Sequence, residues 1–151
     1  MSPLSNNLVE MRENNIGRLF QHAARAYSER ALALLHERGF SDITLFHTAL
    51  ISNLSTSGNQ ITTIAERAGI TKQAMGQLVS ELETKGYVKK TKKLNDKRAY
   101  LIQFTEHGEN ALRAAYDVKK MIDEEYKALL GIDNVAKLRT LLHTLINNKD
   151  K

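Results

Sequence analysis

The chain has 151 residues, 42% of them hydrophobic and 26% charged, with no cysteine and five histidines at positions 22, 36, 47, 107 and 143. That length suits a single domain with a real core, and the absence of thiols excludes disulfides, thiolate metal sites and cysteine-based redox or nucleophilic chemistry. The net charge is +5, and the excess lies in one block: residues 71–98 carry eight Lys or Arg against three acids, while the rest balances at fourteen of each.

The opening stretch MSPLSNNLVEMRENN is polar, without the basic region and apolar core of a secretory signal. The longest unbroken apolar run, Ala31 to Leu35, falls far short of a bilayer span. The expectation is a cytoplasmic protein without a membrane partner. No two histidines have close metal-ligand spacing, so neither a metal nor another cofactor is expected.

From about Asn14 to Arg38, the residues Ile16, Phe20, Ala23, Tyr27, Ala31 and Leu34 recur every three or four positions, which predicts a long amphipathic helix ending at Gly39. Leu45, Phe46, Ala49, Leu50 and Leu54 predict a shorter helix capped by Thr44 and stopped by the turn-forming stretch Ser55 to Asn59. Ile61 to Ala68 is a third helix, closed by Gly69, after which Thr71 caps a fourth. In that fourth helix Met75, Leu78, Val79 and Leu82 fall on one buried face, so Lys72, Gln73, Gly76, Gln77 and Ser80 point the other way. Lys85-Gly86 ends it.

Tyr87 to Lys93 and Ala99 to Phe104 then read as the strands of a hairpin whose polar tip is residues 94–98. Thr105 opens a long helix to about Leu130, with Ala111, Leu112, Ala115, Val118, Ile122 and Leu129 on its stripe. Gly131-Ile132-Asp133 breaks it, Asp133 caps, and Val135, Leu138, Leu141, Leu142 and Leu145 form a last apolar face. The terminal helices carry more apolar stripe than one small core covers, which predicts a homodimer.

Ile64-Ala65, Gly69 and the Thr71 cap ahead of the Met75 stripe have the layout of a helix-turn-helix. A helix that presents short polar and amide side chains near its start can enter the major groove, where base edges display distinct donors and acceptors. Gln73 and Gln77 suit base contacts, Lys72 suits guanine or phosphate, and Thr71 and Ser80 suit phosphate oxygens. Gly76 has three readings: a bare backbone for close approach to DNA, close contact with a neighbouring helix, or a glycine that is merely tolerated. A helix-interior glycine costs about 1 kcal/mol relative to alanine. Lys89, Lys90, Lys92, Lys93, Lys97 and Arg98, around Asn95 and Asp96, make the hairpin a basic arm able to displace counterions from phosphates. Arg98 suits a narrow minor groove.

The stretches "ITKQAMGQLVSELETKGYVKK" and "NDKRAYLIQFTEHG" resemble the MarR family of transcriptional regulators, which are dimeric winged helix-turn-helix proteins. The resemblance implies a mainly α fold with a small β-hairpin wing: one domain over 1–151, with a DNA-binding lobe at about 40–108 and dimerisation helices at about 10–38 and 109–148. It implies that the helix from Thr71 reads the major groove, that Arg98 reaches the minor groove and that Asp96 holds the wing. The family's wing commonly has Asp-Pro where this chain has Lys93-Leu94, which predicts a more basic and less rigid tip. Many members bind small aromatic acids between the dimer helices and the lobes, which makes His22 and His47 candidates to meet a carboxylate.

The expectation is a homodimeric repressor that binds a palindromic operator in double-stranded DNA and is released by a small aromatic or acidic ligand. The alternative is a winged-helix module that binds an acidic protein partner. No phosphate loop, nucleophile elbow or HExxH motif occurs, and Asp123-Glu124-Glu125 reads as a solvated patch, so no catalytic residue is expected.

Overall fold

The computed structural model describes the backbone of residues 3–93 and 96–148 and the side chains of 6–92 and 100–148. Among the described residues seven helices and a hairpin follow one another: α1 (Pro3–Glu13), α2 (Ile16–Glu37), α3 (Thr48–Asn53), α4 (Ile61–Ala68), α5 (Lys72–Thr84), β1 (Val88–Lys93), β2 (Asp96–Phe104), α6 (Glu106–Leu130) and α7 (Ile132–Asn147).

The polar N-terminal stretch folds as α1, which the sequence reading left without structure. Its apolar residues Leu8 and Met11 lie one turn apart and both face outward. Asn15 ends this helix and starts the next, its side chain accepting the Arg18 N–H at 3.2 Å. The C-terminal half of α2 packs on α6, where Tyr27 meets Tyr126 edge-on and Arg30 grips Glu125 through two hydrogen bonds, the shorter 2.6 Å. Leu34, Val118 and Ile122 form a small core there. The N-terminal half is different: Ile16 is 65% exposed, and Leu19 and Phe20 also face solvent.

The main core belongs to the lobe. Leu50, Ile64, Met75, Val79 and Leu82 are fully buried together with Ile43, Tyr87, Val88 and Ile102. Each large side chain buried in this way contributes about 1.5–3 kcal/mol. The α4–α5 pair follows the expected local chemistry. Gly69 closes α4 in the left-handed conformation at φ +69°, Ile64 and Ala65 are buried at the crossing, and Thr71 Oγ1 accepts the Ala74 N–H at 3.1 Å.

Three element ends differ from expectation. Thr44 does not cap α3; its N–H donates to His47 Nδ1 at 3.0 Å, a turn covers 45–47 and the helix starts at Thr48. Leu45 and Phe46 are therefore pushed outward, Phe46 to 77% exposure, rather than lying on an apolar helix face. Asp133 does not cap α7; Gly131 holds the cap position with φ +97°, and Asp133 sits in the first turn. In the hairpin, β2 begins at Asp96, so residues 96–98 belong to a strand and not to the tip, with a register irregularity at Lys92/Lys93. A bridge from Asn59 to Ile102 adds a short third element beside β2.

Thr105 opens α6 as expected, accepting the Gly108 N–H at 3.0 Å. The Tyr87 carbonyl runs so close to this first turn that a Cβ on Gly108 would stand 2.0 Å from its oxygen. Ala111, Ala114, Val118 and Ile122 are buried along α6, whereas Leu129 is 78% exposed. On α7 only Val135 is buried; Leu138, Leu141, Leu142 and Leu145 form a stripe with no cover among the described residues.

Candidate nucleic-acid interface

Helix α5 divides cleanly into two faces. Met75, Val79 and Leu82 reach zero exposure and anchor it in the lobe, with Leu78 partly buried beside them. On the reverse face Lys72, Gln73, Gln77 and Ser80 are exposed. Gln73 and Gln77 stand one turn apart, so their amides project side by side from a helix that the core holds in place. Thr71 is exposed too; its oxygen caps the helix, and its hydroxyl proton stays available for an acceptor.

Gly76 is half-buried. A Cβ built there meets only Ile61 Cδ1 at 3.7 Å, an ordinary contact distance, so packing against α4 does not require glycine. Of the readings of this residue, helix–helix contact loses its physical basis, which leaves close approach to DNA and mere tolerance.

Two long-range ties orient α5. His47 is buried, and its Nε2 and a Glu81 carboxylate oxygen lie 2.7 Å apart. With Nδ1 accepting from Thr44, the ring proton resides on Nε2 and the imidazole is a strut between the start of α3 and α5. At the far end, Lys85 Nζ donates to the Asp42 carbonyl at 2.6 Å and the Tyr87 hydroxyl donates to the Asp42 carboxylate. The Tyr87 ring stacks on His107 with centroids 4.4 Å apart. Burial first, and then the hydrogen bond to Asp42, hold the Tyr87 phenol well above the ordinary tyrosine range. Periodicity carries no signal for Asp42, His107 or the Glu81 tie, because their partners are distant in sequence.

The hairpin stands beside α5. Lys89, Lys90 and Lys92 are exposed on β1. Antiparallel pairing sets Val88, Lys90 and Lys92 against Phe104, Ile102 and Tyr100, while Lys89 pairs with Gln103 on the other face. Between the starts of α4 and α5 and the hairpin lies a cleft of roughly 550 Å³, with Lys72, Lys90, Tyr100, Gln60 and Thr62 at its edge. The sequence reading treated the lysines of the arm alike and did not single out Lys90 or Tyr100; the apolar Val88, two residues before Lys90, was the available signal for strand phase. The side chains of Lys93, Asp96, Lys97 and Arg98, and residue Asn95 entirely, lie outside the described residues.

The two histidines proposed for a ligand do not come together. His47 has both ring nitrogens engaged within the lobe, which leaves neither free for a carboxylate and corrects that expectation. His22 is exposed on α2. The groove that does lie between α2, α3 and α6 has a volume of roughly 190 Å³ and is lined instead by Tyr27, Ser28, Thr48, Ile51, Ser52 and Lys119, among others.

The carboxylates of Asp123, Glu124 and Glu125 are each matched to a cation, Arg139, Lys127 and Arg30 respectively, at 3.3, 2.9 and 2.6 Å. That is the pattern of an ion-paired helix surface. Among the described residues no cluster of three or more potential metal ligands occurs, and no helix is long and apolar enough to cross a membrane.

Residues 41–99, which include the helix-turn-helix and most of the hairpin, match the sequence profile of the MarR family. The transcriptional regulator HosA of Escherichia coli is 26% identical over 84 residues, 56% of this chain and 62% of that relative's length. Among solved structures, MarR from E. coli superposes with a TM-score of 0.71 at 23% identity, covering 85% of this chain and 95% of MarR. The PcaV transcriptional regulator of Streptomyces coelicolor, solved in complex with its natural ligand, superposes at 0.67 and 20% identity, covering 91% and 95%. At these identities the likeness between structures is one of fold. Taken with the profile match over residues 41–99, it gives the chain a winged helix-turn-helix architecture similar to that of the MarR family.

Proposed function

We propose that the protein is a homodimeric, sequence-specific DNA-binding regulator of transcription that occupies a palindromic operator as a repressor and leaves it when a small aromatic or acidic ligand binds. The observation that carries this reading is the polar face of α5: Gln73 and Gln77 project from a helix whose other face is locked in the core, beside a cationic strand. Gln73 and Gln77 pair with base edges, Thr71 and Ser80 meet phosphate oxygens, and the hairpin, with Lys92, Lys93, Lys97 and Arg98 around Asn95 and Asp96, adds the basic arm. Such a protein works in the cytoplasm, beside the chromosome.

The dimer is supported by apolar residues that face solvent on three helices: Leu8 and Met11 of α1, Ile16 and Leu19 of α2, Leu141 and Leu145 of α7. Stripes of this extent mark an interface on a soluble chain. In this reading the chain is one domain, with the lobe at about 40–108 hung between dimerisation helices at about 10–38 and 109–148.

The ligand reading moves from the histidines to the groove between α2, α3 and α6. Its apolar wall suits a small ring, and Ser28 and Lys119 supply donors for a carboxylate. Because the groove joins the lobe to the long helices, a ligand there favours one lobe spacing over another, and the operator fits only one of them.

Selection of bound duplexes from a random pool tests the proposal. The expected product is an inverted repeat with half-sites about one helical turn apart. A pool that stays random after repeated rounds, with and without candidate aromatic acids, rejects it.

A further inference from the structure

The cleft between α5 and the hairpin has a composition that the groove-reading helix alone does not explain. Along β1 the face that packs on the lobe changes character: Val88 is buried against Phe104 and Ile102, whereas Lys90, next on that face, is exposed, and Tyr100, paired to Lys92, is 48% exposed. Lys72, in the first turn of α5, lines the same cleft as Lys90. Among the described residues Lys72 has no carboxylate within ion-pair reach, and Lys90 meets only Glu83, at 4.0 Å. Ile61 and Ile102 line the cleft as well, with the Gln60 amide, the Thr62 hydroxyl and the Tyr100 phenol at its rim. Two cations, one from α5 and one from the hairpin, three neutral donors and apolar lining residues are chemistry for an anion attached to a sugar.

We propose that this cleft seats a phosphodiester of the DNA strand that separates the two grooves, with Lys72 and Lys90 on either side of the phosphate and Tyr100 donating to it. The assignment rests on the DNA-binding reading above and deepens it. When α5 lies in the major groove and the hairpin reaches the adjacent minor groove, the intervening sugar–phosphate backbone has to pass between them, and the space between them is this cleft. Lys72, for which guanine and phosphate were both open, is thereby a phosphate contact. Lys90 separates from its neighbour Lys89, which points to the opposite face of the strand with Gln103.

The test compares Lys90→Gln with Lys89→Gln on an operator recovered from the random pool, by fluorescence anisotropy across a salt series. The expected result is that Lys90→Gln weakens binding severalfold, lowers the slope of log K against log salt by about 1 and leaves base preference unchanged, while Lys89→Gln, on the opposite face of the strand, weakens binding measurably less. A neutral methylphosphonate at the phosphate beside the major-groove half-site should weaken the parent and cost Lys90→Gln nothing further. Equal losses for the two lysine variants, or a methylphosphonate penalty that adds in full to that of Lys90→Gln, would overturn the seat. Inorganic phosphate that displaces the duplex beyond its effect on ionic strength would make the cleft a site for free anions instead. A parent protein that selects no DNA at all overturns the underlying reading before any variant is compared.

Discussion

Replacing Gly76 by alanine sets fold stability and DNA binding against each other. The added methyl meets only Ile61 Cδ1, at 3.7 Å, and no backbone atom, so the lobe accepts it without repacking. An alanine in a helix interior is favoured over glycine by about 0.8–1.0 kcal/mol. For a chain of this size that corresponds to a rise of about 2–4 °C in the unfolding midpoint. Gly76 sits one turn from both Lys72 and Ser80 and between Gln73 and Gln77, on the side of α5 that faces the major groove in the proposed reading. A methyl there holds the helix away from the base edges and should weaken operator binding by about tenfold, or 1.4 kcal/mol. Calorimetry gives the first quantity and anisotropy on the selected operator the second. A variant that melts lower than the parent would return glycine to a packing role. One that binds operator as tightly as the parent would remove it from the DNA interface.

Gly108→Ala should behave in the opposite way: its Cβ would stand 2.0 Å from the Tyr87 carbonyl oxygen, a backbone atom that cannot swing aside. Urea denaturation should show a loss of about 1–3 kcal/mol or more, and an unchanged midpoint would contradict the packing of α6 on the lobe. Tyr87 gives a pH signature, because burial and Asp42 raise its phenol pKa above the ordinary value of 10.0. The folded state holds this proton more tightly than the unfolded chain, so the associated stability is complete below pH 10 and is lost as pH rises beyond it. Stability measured from pH 8 upward should hold until about pH 10, then fall for the parent and fall less steeply for Tyr87→Phe; parallel curves would refute the linkage. Ser52→Phe, at an exposed edge of the groove between α2, α3 and α6, should fill it and abolish release from the operator by an aromatic acid while DNA affinity stays within about twofold. Release that persists in the variant would move the ligand elsewhere.

What was legible in the sequence follows the range of the interactions involved. The helix-turn-helix was legible because its signals are local: Gly69 supplies a left-handed residue, Thr71 caps three residues ahead, and the Met75 stripe has one period. The outer ends of α2 and α7 were legible as apolar stripes in excess of what one small core covers, and the structure leaves them exposed. The start of α3 was misread because Thr44, a good cap by type, gives its N–H to an imidazole that Glu81 holds from 34 residues away. The helical character of α1 was hidden by the Ser-Asn-Asn run within it. The groove between α2, α3 and α6 was invisible, since its serine, threonine and lysine come from three helices and no spacing links them. Lys89 and Lys90 look identical until the phase of β1 is fixed.

The central claim is that two glutamines on α5 read base edges. It is tested most directly by the ratio of affinities for the selected operator and for a scrambled duplex of equal length, measured at one salt concentration. The parent should prefer the operator by at least about a thousandfold. In the protein carrying Gln73→Ala and Gln77→Ala that preference should collapse toward unity while affinity for the scrambled duplex holds. A preference that survives both substitutions undiminished would contradict the claim.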